Sequence, residues 1–209
     1  TPPSGAPGVG FDGTYGALVT TLTSGGAKGV VANIPYVTTI PYFTTVPFNP
    51  IPLDATTVAQ LNSMSAYGAY NAGLQALTNA NVITEAERVK RTIVFKEGAG
   101  NAVVIMDEYL TPLTSINPAL ISMRQATKED LIVLPARNFI GTTVGGNPLQ
   151  VNGVSVPLGD KWVLSVNEVA ELKTATDAYN ATIEALATSK GLAFVDANKL
   201  MSQVATIGV

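Results

Sequence analysis

The chain has 209 residues, 12 basic and 15 acidic, a formal net charge of −3, and neither histidine nor cysteine. Those absences exclude disulfides, thiolate and imidazole metal sets, a cysteine nucleophile and a histidine general base within these residues, so no metal site is expected. With 46% hydrophobic and 13% charged residues the chain can bury a sizeable core. No apolar run is long enough to span a bilayer, and no basic stripe is present to neutralise phosphates, so nucleic-acid binding is not expected.

The first ten residues, Thr1–Gly10, form a Pro/Gly loop without the basic start and apolar core of a signal peptide. They read as the middle of a loop. The low charge and abundance of Thr, Asn, Gly and Ala suit an exported bacterial protein, so a targeting segment is expected outside these residues. From Gly13 to Ser24 a helical pattern places Tyr15, Leu18, Val19 and Leu22 on one face, and Gly25-Gly26 ends it. Gly29–Ile34, closed by Pro35, reads as a buried strand. Near the other end, Ser165-Val166-Asn167-Glu168 has the capping-box form. Behind it Val169, Leu172, Thr176, Tyr179, Ile183 and Leu186 recur at helical steps up to Gly191. Leu192–Ala197 reads as a second buried strand, followed by a short helix around Lys199–Val204. Helix followed by buried strand is the grammar of a parallel α/β sheet.

Residues 36–164 do not follow that grammar and read as a mixed α+β insertion between the last two strands, packed beside the sheet core of residues 1–35 and 165–209. Pro35–Pro52 is a loop dense in Pro, Thr and aromatics. Asp54 caps an expected helix running to about Leu77 through Val58, Leu61, Met64 and Leu74. Thr92–Lys96 and Ala102–Met106 predict one β-hairpin, Val151–Val156 and Lys161–Leu164 another. Gly8-Val9-Gly10-Phe11-Asp12-Gly13 spells a dinucleotide fingerprint but lacks the strand that must precede it, so no cofactor is expected. Ser24–Gly29 lacks the order of a phosphate loop and reads as a helix end. Adjacent carboxylates at Asp107-Glu108 and Glu129-Asp130 point to opposite faces of extended chain, which suits solvation or local ion pairing over a convergent acid pair. Glu168 and Glu171 suit an acidic first helical turn. Arg124 and Arg137 read as members of structural ion pairs, with substrate-carboxylate binding as the alternative. The loop aromatics Tyr36, Tyr42, Phe43 and Phe48 leave the carboxyl end of a parallel strand, the side on which open α/β sheets bind ligands. They are candidate walls of a substrate cleft, with core packing as the competing reading.

The run from Tyr15 to Pro35 resembles the third-helix-to-fourth-strand segment of SGNH/GDSL-type hydrolases, in particular a group of bacterial cell-envelope lipoproteins. Val46–Asp54, Met123–Leu131 and Gly191–Asn198 resemble that group as well, so the likeness extends over roughly Thr14–Ala205. The resemblance implies a three-layer, flavodoxin-like parallel sheet and a single domain. It implies a parent that is a GDSL-like lipase, serine esterase or acylhydrolase, acting on a small ester or acylated glycan. It also implies placement in the envelope or periplasm, with lipid anchoring to the outer membrane through a segment outside this chain. The family's nucleophile block (Gly-Asp-Ser), its oxyanion-hole glycine and Gly-x-Asn-Asp block, and its Asp-x-x-His block are all missing here. Asp196 ends the last strand, but no histidine follows. The expectation is therefore an internal scaffold fragment, inactive alone, with no catalytic residue of its own. Its partners would be the missing parts of the parent, or a second copy pairing along the 30–34 strand edge. The alternative is a non-catalytic envelope binding or structural domain that retains the fold.

Overall fold

In the computed structural model residues 1–207 are described. They fall into two units, Thr1–Ile40 with the segment from Glu168 onward, and Pro41–Asn167.

The first unit opens with a turn folded back on the helix it precedes. The amides of Phe11 and Asp12 donate to the carbonyls of Pro2 and Pro3, and the Asp12 carboxylate accepts the amides of Gly5 and Gly13. A Cβ on Gly10 would lie 2.1 Å from the Gly5 nitrogen, and one on Gly13 would lie 2.2 Å from the Gly5 oxygen. Close backbone approach thus accounts for Gly10 and Gly13, and a φ of 84° for Gly8. Helix α1 (Phe11–Thr23) follows, then β1 (Val30–Ala32). The unit resumes in α6 (Val166–Lys190), which ends at Gly191, where the Leu192 amide donates to the Ala187 carbonyl at 2.9 Å. Strand β10 (Ala193–Val195) and α7 (Ala197–Ile207) complete it.

β1 and β10 are parallel neighbours in the register Val30↔Ala193, Val31↔Phe194, Ala32↔Val195, the pairing expected of an α/β repeat. The expected burial is not found. Val30 is 69% and Val195 45% exposed, and among the described residues of this unit the buried apolar side chains are Val19, Ile183 and Ala187. In α1 the expected stripe buries Val19 alone, leaving Leu18 and Leu22 in solvent. A pair of three-residue strands supplies too little surface to cover a helix or to be covered by one. Just beyond β1, Asn180 of α6 receives the Ile34 amide at 2.7 Å and donates to the Ile34 carbonyl at 2.8 Å.

The second unit holds the large core. Its elements are α2 (Pro41–Thr44), β2 (Ile51–Leu53), α3 (Ala55–Leu61), α4 (Tyr67–Asn79), α5 (Glu85–Arg91), β3 (Gly98–Asn101), β4 (Val104–Met106), β5 (Met123–Gln125), β6 (Leu131–Ile132), β7 (Thr143–Val144), β8 (Asn147–Val151) and β9 (Val163–Leu164). They pair antiparallel as β2–β3, β4–β5, β6–β9 and β7–β8. Leu74, Ile93, Phe95, Val104, Ile132 and Leu158 are almost wholly inaccessible at its centre.

Three sequence expectations fail in this unit, each for a local reason. Asp54 does cap α3, accepting the Thr57 amide at 2.7 Å, but the helix to Leu77 breaks at residues 62–66 and Met64 lies exposed. At the break the Ser63 carbonyl accepts the amides of Ala66 and Gly68 in a turn, and the Asn62 side chain bonds the Phe95 backbone. Thr92–Lys96 does not pair with Ala102–Met106, and β4 pairs with β5 instead. The segment is extended but has no strand beside it. Its peptide groups are bonded by side-chain amides: Ile93 N–H and C=O by Asn71 at 3.0 and 2.7 Å, Val94 N–H by Gln125 at 3.1 Å, Phe95 by Asn62 at 3.0 and 2.8 Å, and Lys96 by Asn101 at 2.8 Å both ways. The hairpin of 151–156 with 161–164 is also absent. β8 turns back to β7 through Gly145-Gly146, whose φ values of 58° and 77° suit a two-residue hairpin turn, and β9 pairs with β6.

Replacing Asn71 by Ala strands a buried donor and a buried acceptor on Ile93, each worth roughly 1–3 kcal/mol. The expected outcome is a loss of about 2–4 kcal/mol in urea unfolding followed by Trp162, the chain's one tryptophan, which lies in this unit. Gln75→Ala, on the exposed face of the same helix, is the control. Equal losses in the two variants would remove the proposed role of the amide clamps.

Candidate functional site

At the carboxyl ends of β1 and β10 the first unit gathers a polar cluster. The Asn33 side chain donates to Asp196 at 2.8 Å and accepts the Asn198 amide at 2.7 Å, while Asp196 also accepts the Lys199 amide at 2.9 Å. That amide and Asn33 hold the Asp196 carboxyl below its ordinary value. Alongside, Tyr36 donates to Asp177, and Lys173 bonds Asp177 at 2.7 Å and the Tyr36 hydroxyl at 3.2 Å, with its ammonium 4.9 Å from the Tyr36 ring centroid. The Lys173 hydrogen bond, followed by that of Tyr36, lowers the Asp177 carboxyl. Each of these side chains serves another or the backbone. The cluster is on the side where parallel sheets take ligands, yet its groups are mutually satisfied.

The four aromatics singled out from the sequence fall in different units. Tyr36 belongs to the first, as just described, whereas Tyr42, Phe43 and Phe48 belong to the second. Tyr42 is exposed and meets Phe43 edge-on with centroids 5.0 Å apart. Phe43 and Phe48 pack against the core of the second unit.

In the second unit the arginines part company. Arg124, 1% exposed, lies between two buried carboxylates. Its Nε donates to Asp107 at 2.5 Å, and its two terminal nitrogens donate to Asp130 at 2.7 Å each. Lys90 reaches Asp107 at 3.4 Å, so two cations balance two anions. Asp130 also accepts the amides of Thr127 at 2.7 Å and of Val166 at 2.9 Å, so this carboxylate receives the first amide of α6. The neighbours of these two acids, Glu108 and Glu129, are exposed, so neither adjacent pair converges. Burial alone would raise both aspartates, but the Arg124 guanidinium outweighs it and holds them below the usual carboxylate range. Burial also opposes the charge on Arg124, and the two carboxylates outweigh that, raising its pKa further.

Arg137 does not form the expected ion pair. It is exposed and, among the described residues, has no carboxylate partner, whereas Arg88, Arg91 and Arg124 each bond one. It lies in the last turn of a 3-10 helix (Leu134–Asn138) that follows β6. It lines a groove of about 390 Å³ with Thr45, Val46, Pro47, Pro50 and Ile140. A second groove, about 570 Å³, runs between the α3–α4 corner and Leu149 of β8, and includes Leu61, Ser65, Tyr67 and Leu120. Its lining carries no charge. Sequence reasoning missed both grooves and the clamping asparagines, because neither a groove nor a buried amide leaves a periodic mark. Arg137 is the exception: an arginine in a charge-poor segment was the one legible signal.

No protein-family model, curated protein or solved structure matches the chain. Among the described residues no group of three acidic, His or Cys side chains is placed to hold a metal, and no helix is long and apolar enough to cross a membrane.

The folded pKa values of Asp107 and Asp130 lie below their unfolded values, so their contribution is complete above about pH 4 and is lost as pH falls through the folded values. Trp162-monitored stability should be level from pH 7 to 5 and fall steeply below about pH 4. Asp130→Asn leaves Arg124 undercompensated; it should cost about 3 kcal/mol or more at pH 7 and flatten the acid slope. An acid slope unchanged by Asp130→Asn would refute this assignment.

Proposed function

We propose that the chain is the scaffold portion of an SGNH/GDSL-like serine esterase or acylhydrolase of the cell envelope, with the nucleophile, oxyanion donors and histidine base supplied by residues outside it. The observation that carries the reading is the parallel β1–β10 pair, exposed on the face of Val30, Ala32, Ala193 and Val195, with a 25-residue helix leading into its second strand. Parallel strands are stable in sheets covered on both faces, and the few buried side chains of the first unit do not provide that cover. Further strands and helices of a three-layer α/β domain would. The resemblance of the Tyr15–Pro35 and Gly191–Asn198 segments to that family's scaffold is in keeping with the same reading. In it the second unit is an insertion, the substrate is a small ester or acylated glycan, and a lipid anchor lies beyond these residues.

One observation favours the rival, a non-catalytic binding or structural domain with the same fold. Asp196, at the carboxyl end of β10, already accepts from Asn33 and from the first turn of α7 through Oδ1, a capping role that accounts for the residue without a base to orient.

The isolated 209-residue chain should not hydrolyse p-nitrophenyl acetate above a protein blank, nor take up a fluorophosphonate. The decisive experiment labels the polypeptide carrying these residues in its source cells and maps the adduct. A fluorophosphonate on a Gly-Asp-Ser serine contiguous with this chain is the expected result. Labelling of a serine within these 209 residues would overturn the fragment reading, and no labelling of the folded parent would leave the non-catalytic domain.

A further inference from the structure

We propose that the Arg137 groove of the second unit is a binding site for a small monocarboxylate with an apolar tail. Of the chain's four arginines, three already bond carboxylates, and Arg137 has no carboxylate partner among the described residues. An unpaired guanidinium at the side of a groove is a fork for two carboxylate oxygens. The rest of the lining is apolar at Val46, Pro47, Pro50 and Ile140. The sole hydroxyl, on Thr45, is occupied in donating to the Pro41 carbonyl at 2.6 Å. One cation and no second positive side chain in the lining favour a monoanion, and the volume of about 390 Å³ is within the small-ligand range.

The groove is formed before any ligand arrives. The wall from 41 to 50 is pinned into the core by Phe43, Val46 and Phe48, and Val46 bridges to Ile132 of β6. Pro47 and Pro50 restrict the backbone between those pegs. The opposite wall is fixed by the Ile140 amide, which donates to the Ala136 carbonyl at 2.9 Å, with Ala136 itself fully buried. Little ordering remains to be done on binding, which favours affinity for a small molecule. The site lies wholly within the second unit and does not depend on the proposed hydrolase parent.

The test is NMR titration of the full chain with sodium hexanoate, reading the Arg137 Nε–Hε signal and the Ile140 methyls, with hexan-1-ol and inorganic phosphate as separate probes. Saturable shifts at both groups with hexanoate are expected, together with affinity rising roughly threefold per methylene from butyrate to hexanoate. Arg137→Gln should weaken binding about tenfold or more, and Arg137→Lys should recover part of it, since charge without the fork is retained. The exposed position makes both variants safe for folding, which the unchanged spectrum of the clamped core would verify. Equal binding of hexan-1-ol or phosphate, hexanoate binding undiminished in Arg137→Gln, or shifts scattered over the surface lysines would each overturn the proposal.

Discussion

An extended stretch whose side chains are in the core, with no strand beside it, must find other partners for its peptide groups. Ile93–Lys96 is that stretch, and the second unit is arranged around the solution. Ile93 and Phe95 are buried almost completely, so water is not available to their amides and carbonyls. Asn62 from the end of α3, Asn71 from α4, Asn101 from β3 and Gln125 from β5 approach from separate elements and bond successive residues. A side-chain amide presents donor and acceptor side by side at the spacing of a peptide edge, so it stands in for a neighbouring strand one residue at a time. The break between α3 and α4 falls at Asn62, which bonds Phe95 from a helix end, whereas Asn71 makes the same pair of bonds from within α4. Asn180 does the same for Ile34 in the first unit, where β1 runs out of partner strand.

The charged cluster does for the turns what the asparagines do for the extended segment. Arg124 lies on β5 with its guanidinium inside, and burying it alone would be prohibitive. Asp107, just after β4, and Asp130, just before β6, bracket it, so three chain segments are held by one cation. Asp130 spends its remaining lone pairs on the Thr127 turn and on the start of α6. A group so fully engaged has no capacity left for a substrate. This separates it from Arg137, whose guanidinium is the same chemistry without the carboxylates.

What could be read from sequence was local or periodic. The α1 span, the α6 span with its stop at Gly191, the Asp54 cap and the parallel adjacency of the Val30 and Ala193 strands all depend on short-range pattern or on the βα grammar, and all were legible. Burial of those strands was not, because an apolar run reports preference for a core and not whether the chain supplies one. The two hairpins failed because pairing between short strands is set by tertiary competition: β4 found β5, and Thr92–Lys96 was taken by side chains that look like ordinary polar residues on helices. The same limit applied to the site. The aromatic loop was visible as a feature, yet its rings went to different units. Thr45, Val46, Pro47 and Pro50 of that same loop line a groove, but nothing in the sequence joins them to Arg137 and Ile140 across it.

The contrast between the units carries the last step. The second closes its own core, neutralises its buried charges internally and satisfies its backbone with side chains where strands are missing. The first has the opposite character: polar groups at the strand ends bond one another, while Leu18, Leu22, Val30, Val195 and Leu200 are exposed. Along β1, Gly29 and Asn33 bond β10, so by alternation the peptide groups of Val30 and Ala32 face the other edge. That edge carries no proline and no charge to discourage pairing. An exposed face beside an unpaired, uncharged edge is what the larger parallel sheet of the proposed function would cover and extend.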